Sequence, residues 1–199
     1  MSETLLSKAQ PLTPWQTVGP FFHYALPWEG GENLLHEDVK GERIIIKGRV
    51  LDAASQPITD ALVEIWQASS TGRYDHPEDS RTEIPADPAF IGFGRCPTNE
   101  DGVFTFHTIR PGPVPGPGNT EQAPHIAISL FGRGLLRRLA TRLYFPDSEA
   151  NERDPILDLV GKERAYTLIA KRDEENSTVP LYWFDIHIQG DNETVFFDV

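Results

Sequence analysis

Short runs of β-branched and aromatic residues, separated by turn residues, constrain the fold of this chain most. The clearest runs lie at residues 42–51, 61–67 and 103–109, where apolar side chains alternate in part or throughout. Side chains two apart on a strand point to the same face, so such runs predict strands with one buried side. Further strands are predicted at 125–131, 141–145, 166–171, 182–189 and 195–198. The pattern predicts a mostly-β chain that folds as an antiparallel β-sandwich.

Turn residues divide the chain into short segments. The chain holds 17 Pro and 16 Gly, and the clearest loop is Gly-Pro-Val-Pro-Gly-Pro-Gly at 112–118. Only residues 147–153 predict a short helix, because acidic residues lie near the start of that segment. A chain of 199 residues can bury a real core. We expect one sandwich domain over residues 41–199, preceded by an arm at residues 1–40.

The arm combines prolines with large aromatic side chains. Proline favours extended backbone, and exposed Trp and Phe are too apolar for an idle tail. The arm therefore either covers the core of its own chain or crosses to a partner chain, and its residues leave both options open. The side chains that require such a contact are Trp15, Phe21, Phe22, Tyr24 and Trp28.

Charge and cysteine content limit the partners and the compartment. The net charge is −12 at pH 7, which argues against nucleic acid and anionic membranes, since both require a positive footprint. Cys96 is the sole cysteine, so no internal disulfide can form. The N-terminus lacks the apolar core of a signal peptide, and no apolar run is long enough to span a membrane. We expect a cytoplasmic protein.

Several segments, taken together in this order and spacing, resemble the intradiol ring-cleavage dioxygenases, a family of non-haem iron(III) enzymes. The resemblance covers most of the chain and implies the sandwich fold of that family with an extended N-terminal arm. The segments are residues 13–21, 63–68, 72–74, 108–113, 123–125, 141–145, 184–190 and 193–198.

The resemblance implies a metal site, and this chain departs from it at two positions. Catalytic members hold iron(III) with two tyrosinates and two histidines. Tyr74 matches the first tyrosine and His125 the first histidine, whereas Val114 and Ala127 occupy the other two ligand positions. Valine and alanine offer no lone pair, and ligand number defines a metal site. We expect no iron in this chain, and we expect Tyr74 and His125 to be residual, packed and hydrogen-bonded residues.

Two-chain members of the family place iron(III) in a partner chain of similar fold, and the resemblance implies such a partner here. This chain would then help to wall the partner's substrate pocket with Gly19, Pro20 and Phe21 of the arm and with Arg133. An arginine fork matches a carboxylate, and protocatechuate is a catechol that carries one. From the residues alone, Arg133 is equally well a surface arginine paired with an acidic residue.

The resemblance therefore implies a share in the O2-dependent cleavage of protocatechuate, with catalytic residues in the partner and none in this chain. Two alternatives stay open from the sequence. The chain could be an iron dioxygenase in its own right, completed by an unrecognised ligand. It could also be a non-catalytic β-sandwich that binds a ligand and serves no dioxygenase.

Overall fold

A computed structural model describes residues 14–175 and 178–199, with the backbone alone for His23. The first 13 residues of the predicted arm lie outside the described residues. The strands are β1 (Arg43–Leu51), β2 (Leu62–Trp66), β3 (Phe93–Pro97), β4 (Val103–Ile109), β5 (Val114–Pro115), β6 (Glu121–Gln122), β7 (His125–Phe131), β8 (Leu139–Tyr144), β9 (Lys171–Asp173), β10 (Leu181–Trp183) and β11 (Ile186–His187).

The helices are short and lie between strands or in the arm. Within the described residues, three are α-helical, namely α1 (Phe22–Ala25), α2 (Pro155–Val160) and α3 (Lys162–Ala165). Three further turns are 3-10 helices, at Pro117–Asn119, Glu149–Arg153 and Tyr166–Leu168. No helix in the described part of the chain is long and apolar enough to cross a lipid bilayer.

Two sheets form a sandwich, which confirms the predicted mostly-β fold. One sheet has the order β3-β2-β7-β8 and is antiparallel throughout. The other is built around β1, which pairs antiparallel with β4 and parallel with both β10 and β11, while β9 lies beyond β10. The second sheet is therefore mixed, although antiparallel pairs predominate in the molecule. Strands β5 and β6 form a separate two-stranded ribbon.

Alternating apolar residues from both sheets meet in one core. Ile44 and Ile46 of β1 are fully buried, as are Phe106 of β4 and Ile126 of β7. The side chains between them point outward and are partly exposed. Burial of one face of each sheet is what the period-two pattern predicts, because successive side chains on a strand point to opposite faces. The main cluster also includes Val63, Ile65, Phe104, Ile128, Leu143 and Tyr182.

Three predicted segments differ from the structure near the C-terminus. The strand predicted at 166–171 is instead a 3-10 turn, and β9 begins only at Lys171. The strand predicted at 182–189 divides into β10 and β11, because the Asp185 carboxylate accepts from the Arg49 backbone N–H at 3.0 Å and replaces a backbone acceptor there. Residues 195–198 contribute only an isolated bridge between Phe197 and Ala140.

The sequence prediction did not include β3 or α2. Strand β3 (Phe93–Pro97) reads Phe-Gly-Arg-Cys-Pro and lacks an alternating apolar pattern. The predicted helix at 147–153 is a 3-10 turn at Glu149–Arg153, and α2 follows it directly. Asp154 caps α2 by accepting from the backbone N–H groups of Ile156 and Leu157, and Pro155 occupies the first helical position.

The described part of the arm lies on its own domain at both ends. The Thr17 hydroxyl accepts from the Gly134 backbone N–H at 3.0 Å, and Arg95 donates to the Leu26 carbonyl at 2.8 Å. Between these anchors, the Phe21 side chain is 76% exposed and that of Tyr24 is 77% exposed. The arm thus covers its own chain in part and still presents aromatic side chains outward. The boundary at residue 40 remains a prediction.

Candidate functional site

An open cavity of about 610 Å³ lies at one end of the antiparallel sheet. Strand register assembles it, because Ala127 pairs with Trp66 of β2 on one side and with Arg142 of β8 on the other. His125 lies two residues before Ala127 on β7 and shares its face. Residues distant in sequence therefore meet on one surface. The side chains that line it include Trp66, Tyr74, Val114, Gln122, His125 and Arg142.

A tight loop contact brings Tyr74 beside Val114. Gly72 has a φ of +78°, and a Cβ at that position would lie 1.9 Å from the Pro113 carbonyl oxygen. Only glycine permits this approach, which holds the loop of Tyr74 against the loop of Val114. The Tyr74 ring stacks on Trp66 at a centroid distance of 5.8 Å and an interplanar angle of 10°. Tyr74 and Val114 thus face the same cavity.

An ion pair between Asp79 and Arg81 secures the Tyr74 loop at the cavity wall. Oδ2 of Asp79 accepts from the Tyr74 backbone N–H at 2.8 Å, and Arg81 donates to the Gly72 carbonyl at 2.8 Å. The hydrogen bond from Arg81 lowers the pKa of Asp79 to about 2, so this carboxylate is charged at neutral pH. Burial raises the pKa of the Tyr74 phenol, against the opposing effects of Arg142 and Arg81. Tyr74 is therefore a neutral phenol at neutral pH.

His125 is held in one tautomer by its own strand. Its Nδ1 lies 2.8 Å from the Ala123 carbonyl oxygen, which can only accept, so Nδ1 carries the proton and Nε2 is an acceptor. The side chain is 5% exposed, and its ring lies 5.5 Å from that of Tyr144. Burial, together with the charge of the nearby Arg142, lowers the pKa of His125 to about 4. A neutral imidazole thus faces the cavity at neutral pH.

Arg142 places a positive charge in the cavity. Its Nη1 donates to Oε1 of Gln122 at 2.6 Å and to the Tyr144 hydroxyl at 3.3 Å. The Tyr144 hydroxyl in turn donates to Oδ1 of Asp154 at 3.2 Å, and burial raises the pKa of Tyr144. Asp154 is 1% exposed and also accepts from the Ala123 backbone N–H at 2.7 Å. One buried carboxylate therefore supports both Arg142 and the carbonyl that orients His125.

The residues present do not fit an iron ion. Tyr74 and His125 line the cavity, but Val114 shares that surface without a donor atom and Ala127 has only a methyl group. Arg142 adds a fixed cation, which opposes the binding of a second one. Within residues 14–175 and 178–199, no group of three or more His, Cys, Asp or Glu side chains is placed to hold a metal ion. Metal chemistry is not assigned to this cavity.

The residues predicted to contact substrate lie elsewhere. None of Gly19, Pro20, Phe21 and Arg133 is among the residues that line the cavity. The Thr17–Gly134 hydrogen bond instead brings their two segments side by side on the outer surface. We call this region, residues 19–21 with 131–134, the arm edge. Its Arg133 side chain is 62% exposed and pairs with Asp60.

The sequence prediction missed the residues that fill the cavity beside Tyr74 and His125. Arg142 lies in the strand Leu-Ala-Thr-Arg-Leu-Tyr, where a charge between apolar residues indicates a special position. Trp66 lies in a segment that carried the family resemblance and Gln122 directly precedes another, but no spacing rule connects them. Their meeting depends on the pairing of β2, β7 and β8, which the sequence does not specify residue by residue.

Comparison with known proteins gives consistent results. A family model described as "Dioxygenase" matches residues 18–190. The chain is 41% identical over 201 residues to a protocatechuate 3,4-dioxygenase alpha chain of Pseudomonas putida, covering 94% of this chain and 96% of the relative. It is 36% identical over 202 residues to a protocatechuate 3,4-dioxygenase beta chain of Burkholderia cepacia, covering 98% of this chain and 83% of the relative.

Solved structures agree on the fold. The dioxygenase domain of a carbohydrate-binding fusion protein from Streptomyces sp. SirexAA-E aligns with a TM-score of 0.61 at 26% identity, covering 80% of this chain and 87% of that one. An intradiol ring-cleavage dioxygenase from Tetranychus urticae aligns with a TM-score of 0.59 at 23% identity, covering 93% of this chain and 99% of that one. The second likeness concerns the fold alone.

Proposed function

This chain belongs to the intradiol ring-cleavage dioxygenase family, and on that premise we propose that it is the metal-free alpha subunit of a protocatechuate 3,4-dioxygenase. Its partner is a beta chain of similar fold that holds iron(III). The pair cleaves protocatechuate with O2 between the two hydroxylated carbons and yields 3-carboxy-cis,cis-muconate. Both atoms of O2 enter the product, so the reaction needs no other oxidant.

One observation carries the proposal. The chain resembles alpha chains along nearly its full length, yet two ligand positions of the family hold Val114 and Ala127, and the Arg142 cation lines the cavity together with Val114. A chain that retains the family fold without a metal site contributes to the enzyme through a partner's site. The similarity to a beta chain over 98% of its length supports a partner of the same fold.

The arm edge supports the proposal that this chain contributes side chains to the substrate site of its partner. It presents Phe21 and the 62%-exposed Arg133 outward, on a surface separate from the cavity. Gly19 has a φ of +74°, which lets the arm turn before Pro20 and offers backbone to a neighbouring surface. In the complex, Arg133 binds the ring carboxylate of protocatechuate, and Gly19, Pro20 and Phe21 pack against the substrate ring. Orientation of this kind lowers the barrier without any bond to the metal.

The test is to purify this chain alone and again after co-expression with a candidate beta chain. Metal content, the visible tyrosinate–iron absorption band and O2 uptake with protocatechuate are measured in both samples. We expect a colourless, iron-free and inactive chain alone, and a coloured, active complex with iron in proportion to the beta chain. A matched control replaces Tyr74 by Phe in this chain, which should leave the iron content of the complex unchanged.

Two results would contradict the proposal. Stoichiometric iron and activity in the isolated chain would mean that this chain is a complete dioxygenase with ligands other than those considered. A chain that forms no complex with any beta chain, and whose addition leaves ring cleavage unchanged, would instead be a non-catalytic binding protein.

A further inference from the structure

The cavity of Tyr74, His125 and Arg142 retains the features of a binding site although it lacks a metal site. Its volume of about 610 Å³ is within the range of small-molecule sites, roughly 300–1,000 Å³. Its wall includes the stacked rings of Trp66 and Tyr74. Such a surface favours a planar ring over a flexible polar molecule.

Two polar groups in the cavity still have unused hydrogen-bonding capacity. Within the described residues, both hydrogen bonds of Arg142 leave from Nη1, so Nε and Nη2 keep their donors for another group. His125 uses Nδ1 on the Ala123 carbonyl, and its Nε2 has no partner in that same part of the chain. The His125 side chain is 95% buried, so the cavity is where its acceptor can be satisfied. One site thus offers a charged donor and a neutral acceptor.

The remaining charges of the cavity leave Arg142 as the group that selects an anion. Asp79 and Arg81 pair with each other, so they contribute little net charge. Glu78 is exposed, where solvent screens it. The guanidinium of Arg142 is only partly exposed and is held by Gln122 and Tyr144, so a ligand does not have to order it.

We propose that this cavity is a metal-free binding site for a small hydroxylated aromatic carboxylate. Nε and Nη2 of Arg142 donate to the carboxylate, Nε2 of His125 accepts from the ring hydroxyl, and the ring lies against Trp66 and Tyr74. The site belongs to this chain alone. It is separate from the arm edge and does not depend on the partner assigned above, so it can be tested whether or not that assignment holds.

The test is calorimetric titration of the full-length chain, purified without a partner, with 4-hydroxybenzoate, benzoate and phenol. We expect 4-hydroxybenzoate to bind at one site per chain. Benzoate lacks the hydroxyl and phenol lacks the carboxylate, and each is expected to bind about 10-fold or more weakly, because each leaves one polar group of the cavity without its partner. Equal affinity for benzoate and 4-hydroxybenzoate would overturn the contact to His125.

Matched variants separate a specific site from general anion binding. Arg142→Gln is expected to weaken 4-hydroxybenzoate binding by about 10- to 100-fold and to leave phenol binding unchanged, since only the charged contact is lost. Arg138 carries the same charge on the loop between β7 and β8 and lies outside this cavity. Arg138→Gln should therefore leave 4-hydroxybenzoate binding unchanged. Circular dichroism and thermal unfolding verify that both variants are folded. Unchanged binding in folded Arg142→Gln, or no binding by the parent chain at millimolar ligand, would overturn the proposal.

A second readout places the ligand at His125. In a chain labelled with 15N-histidine, the Nε2 resonance of His125 is expected to move when 4-hydroxybenzoate is added, because the lone pair then accepts a hydrogen bond. The Nε2 signal of the exposed His36 serves as the internal reference. Calorimetric binding without any change at His125 would place the ligand elsewhere and contradict the assignment.

Discussion

The cavity and the arm edge use arginine in opposite ways. Arg142 is partly buried, bonded to Gln122 and Tyr144, and surrounded by groups that are themselves fixed. Arg133 is 62% exposed, pairs with a single carboxylate of Asp60 and lies in a loop beside the arm. A guanidinium fixed by several partners is prepared for a ligand within its own chain. An exposed one gains a defined environment only when another surface covers it.

This contrast separates a region whose side chains are fixed within the chain from one whose side chains face outward. Val114 and Ala127 offer no side-chain donor atom, whereas Asp154 keeps its hydrogen bonds to the Ala123 backbone and the Tyr144 hydroxyl. Four predictions test whether the cavity is rigid and internal and whether the arm edge matters only in the complex.

The largest expected effect is the loss of stability when Asp154, which supports the cavity, is replaced. Asp154→Ala removes the acceptor of three backbone N–H groups and of the Tyr144 hydroxyl. The free energy of unfolding should fall by about 3–5 kcal/mol, because a helix cap is lost and buried donors are left unpaired. Urea denaturation measures the change, with Glu152→Ala, an exposed acid of the preceding turn, as the control. A loss near that of the control would show that the cavity does not depend on Asp154.

The second effect is the acid stability of the chain. The pKa of His125 is lowered from 6.5 to about 4 in the folded state, so the unfolded chain binds a proton first as the pH falls. The free energy of unfolding is therefore unaffected by the protonation of His125 above pH 6.5. It falls by about 3 kcal/mol as the pH is lowered from 6.5 toward 4.

Replacement of His125 by Asn should remove this pH dependence, since amide nitrogen can still donate to the Ala123 carbonyl and does not titrate. Urea unfolding at several pH values between 4 and 7 measures it, with His36→Asn as the exposed control. Parallel pH curves for the parent chain and His125→Asn would disprove the buried neutral imidazole.

The third effect concerns the arm edge and requires the complex. Arg133→Ala should weaken protocatechuate binding by about 10- to 100-fold, because a charge-assisted hydrogen bond contributes about 1.5–3 kcal/mol. Catechol has no carboxylate and should bind as before. Steady-state kinetics with both substrates measure the difference, and Arg138→Ala is the control. Equal losses for the two substrates would assign Arg133 to assembly rather than to the carboxylate.

The smallest effect is expected from breaking the ion pair between Asp60 and Arg133. Asp60→Ala should change the free energy of unfolding by less than about 1 kcal/mol, because pairs at the surface are screened by solvent. The same variant should not weaken protocatechuate binding by the complex, since Arg133 remains. Thermal unfolding and the kinetic assay check both parts. A large destabilisation would mean that the pair of Asp60 and Arg133 stabilises the fold, and that Arg133 is not available to bind substrate.

Much of the fold was predictable from local pattern, and the exceptions have specific causes. The runs at 42–51, 103–109 and 125–131 became β1, β4 and β7 with the expected buried faces. The run at 182–189 divided because the side chain of Asp185 bonded to the Arg49 backbone, a contact across 136 residues. Strand β3 lacked an apolar pattern and is held by its pairing with β2. Contacts between residues far apart in the chain thus set strand boundaries that the local sequence pattern did not predict.

The sequence by itself determined which donors are present. It excluded metal ligands at Val114 and Ala127, left Tyr74 and His125 as candidates, and predicted the sandwich, because residue type and period-two burial are local properties. The tertiary structure alone decided that Arg142, Gln122 and His125 face one cavity and that Arg133 lies on another surface beside the arm. Strand register and the Gly72–Pro113 approach fix those positions, and both join residues far apart in the chain.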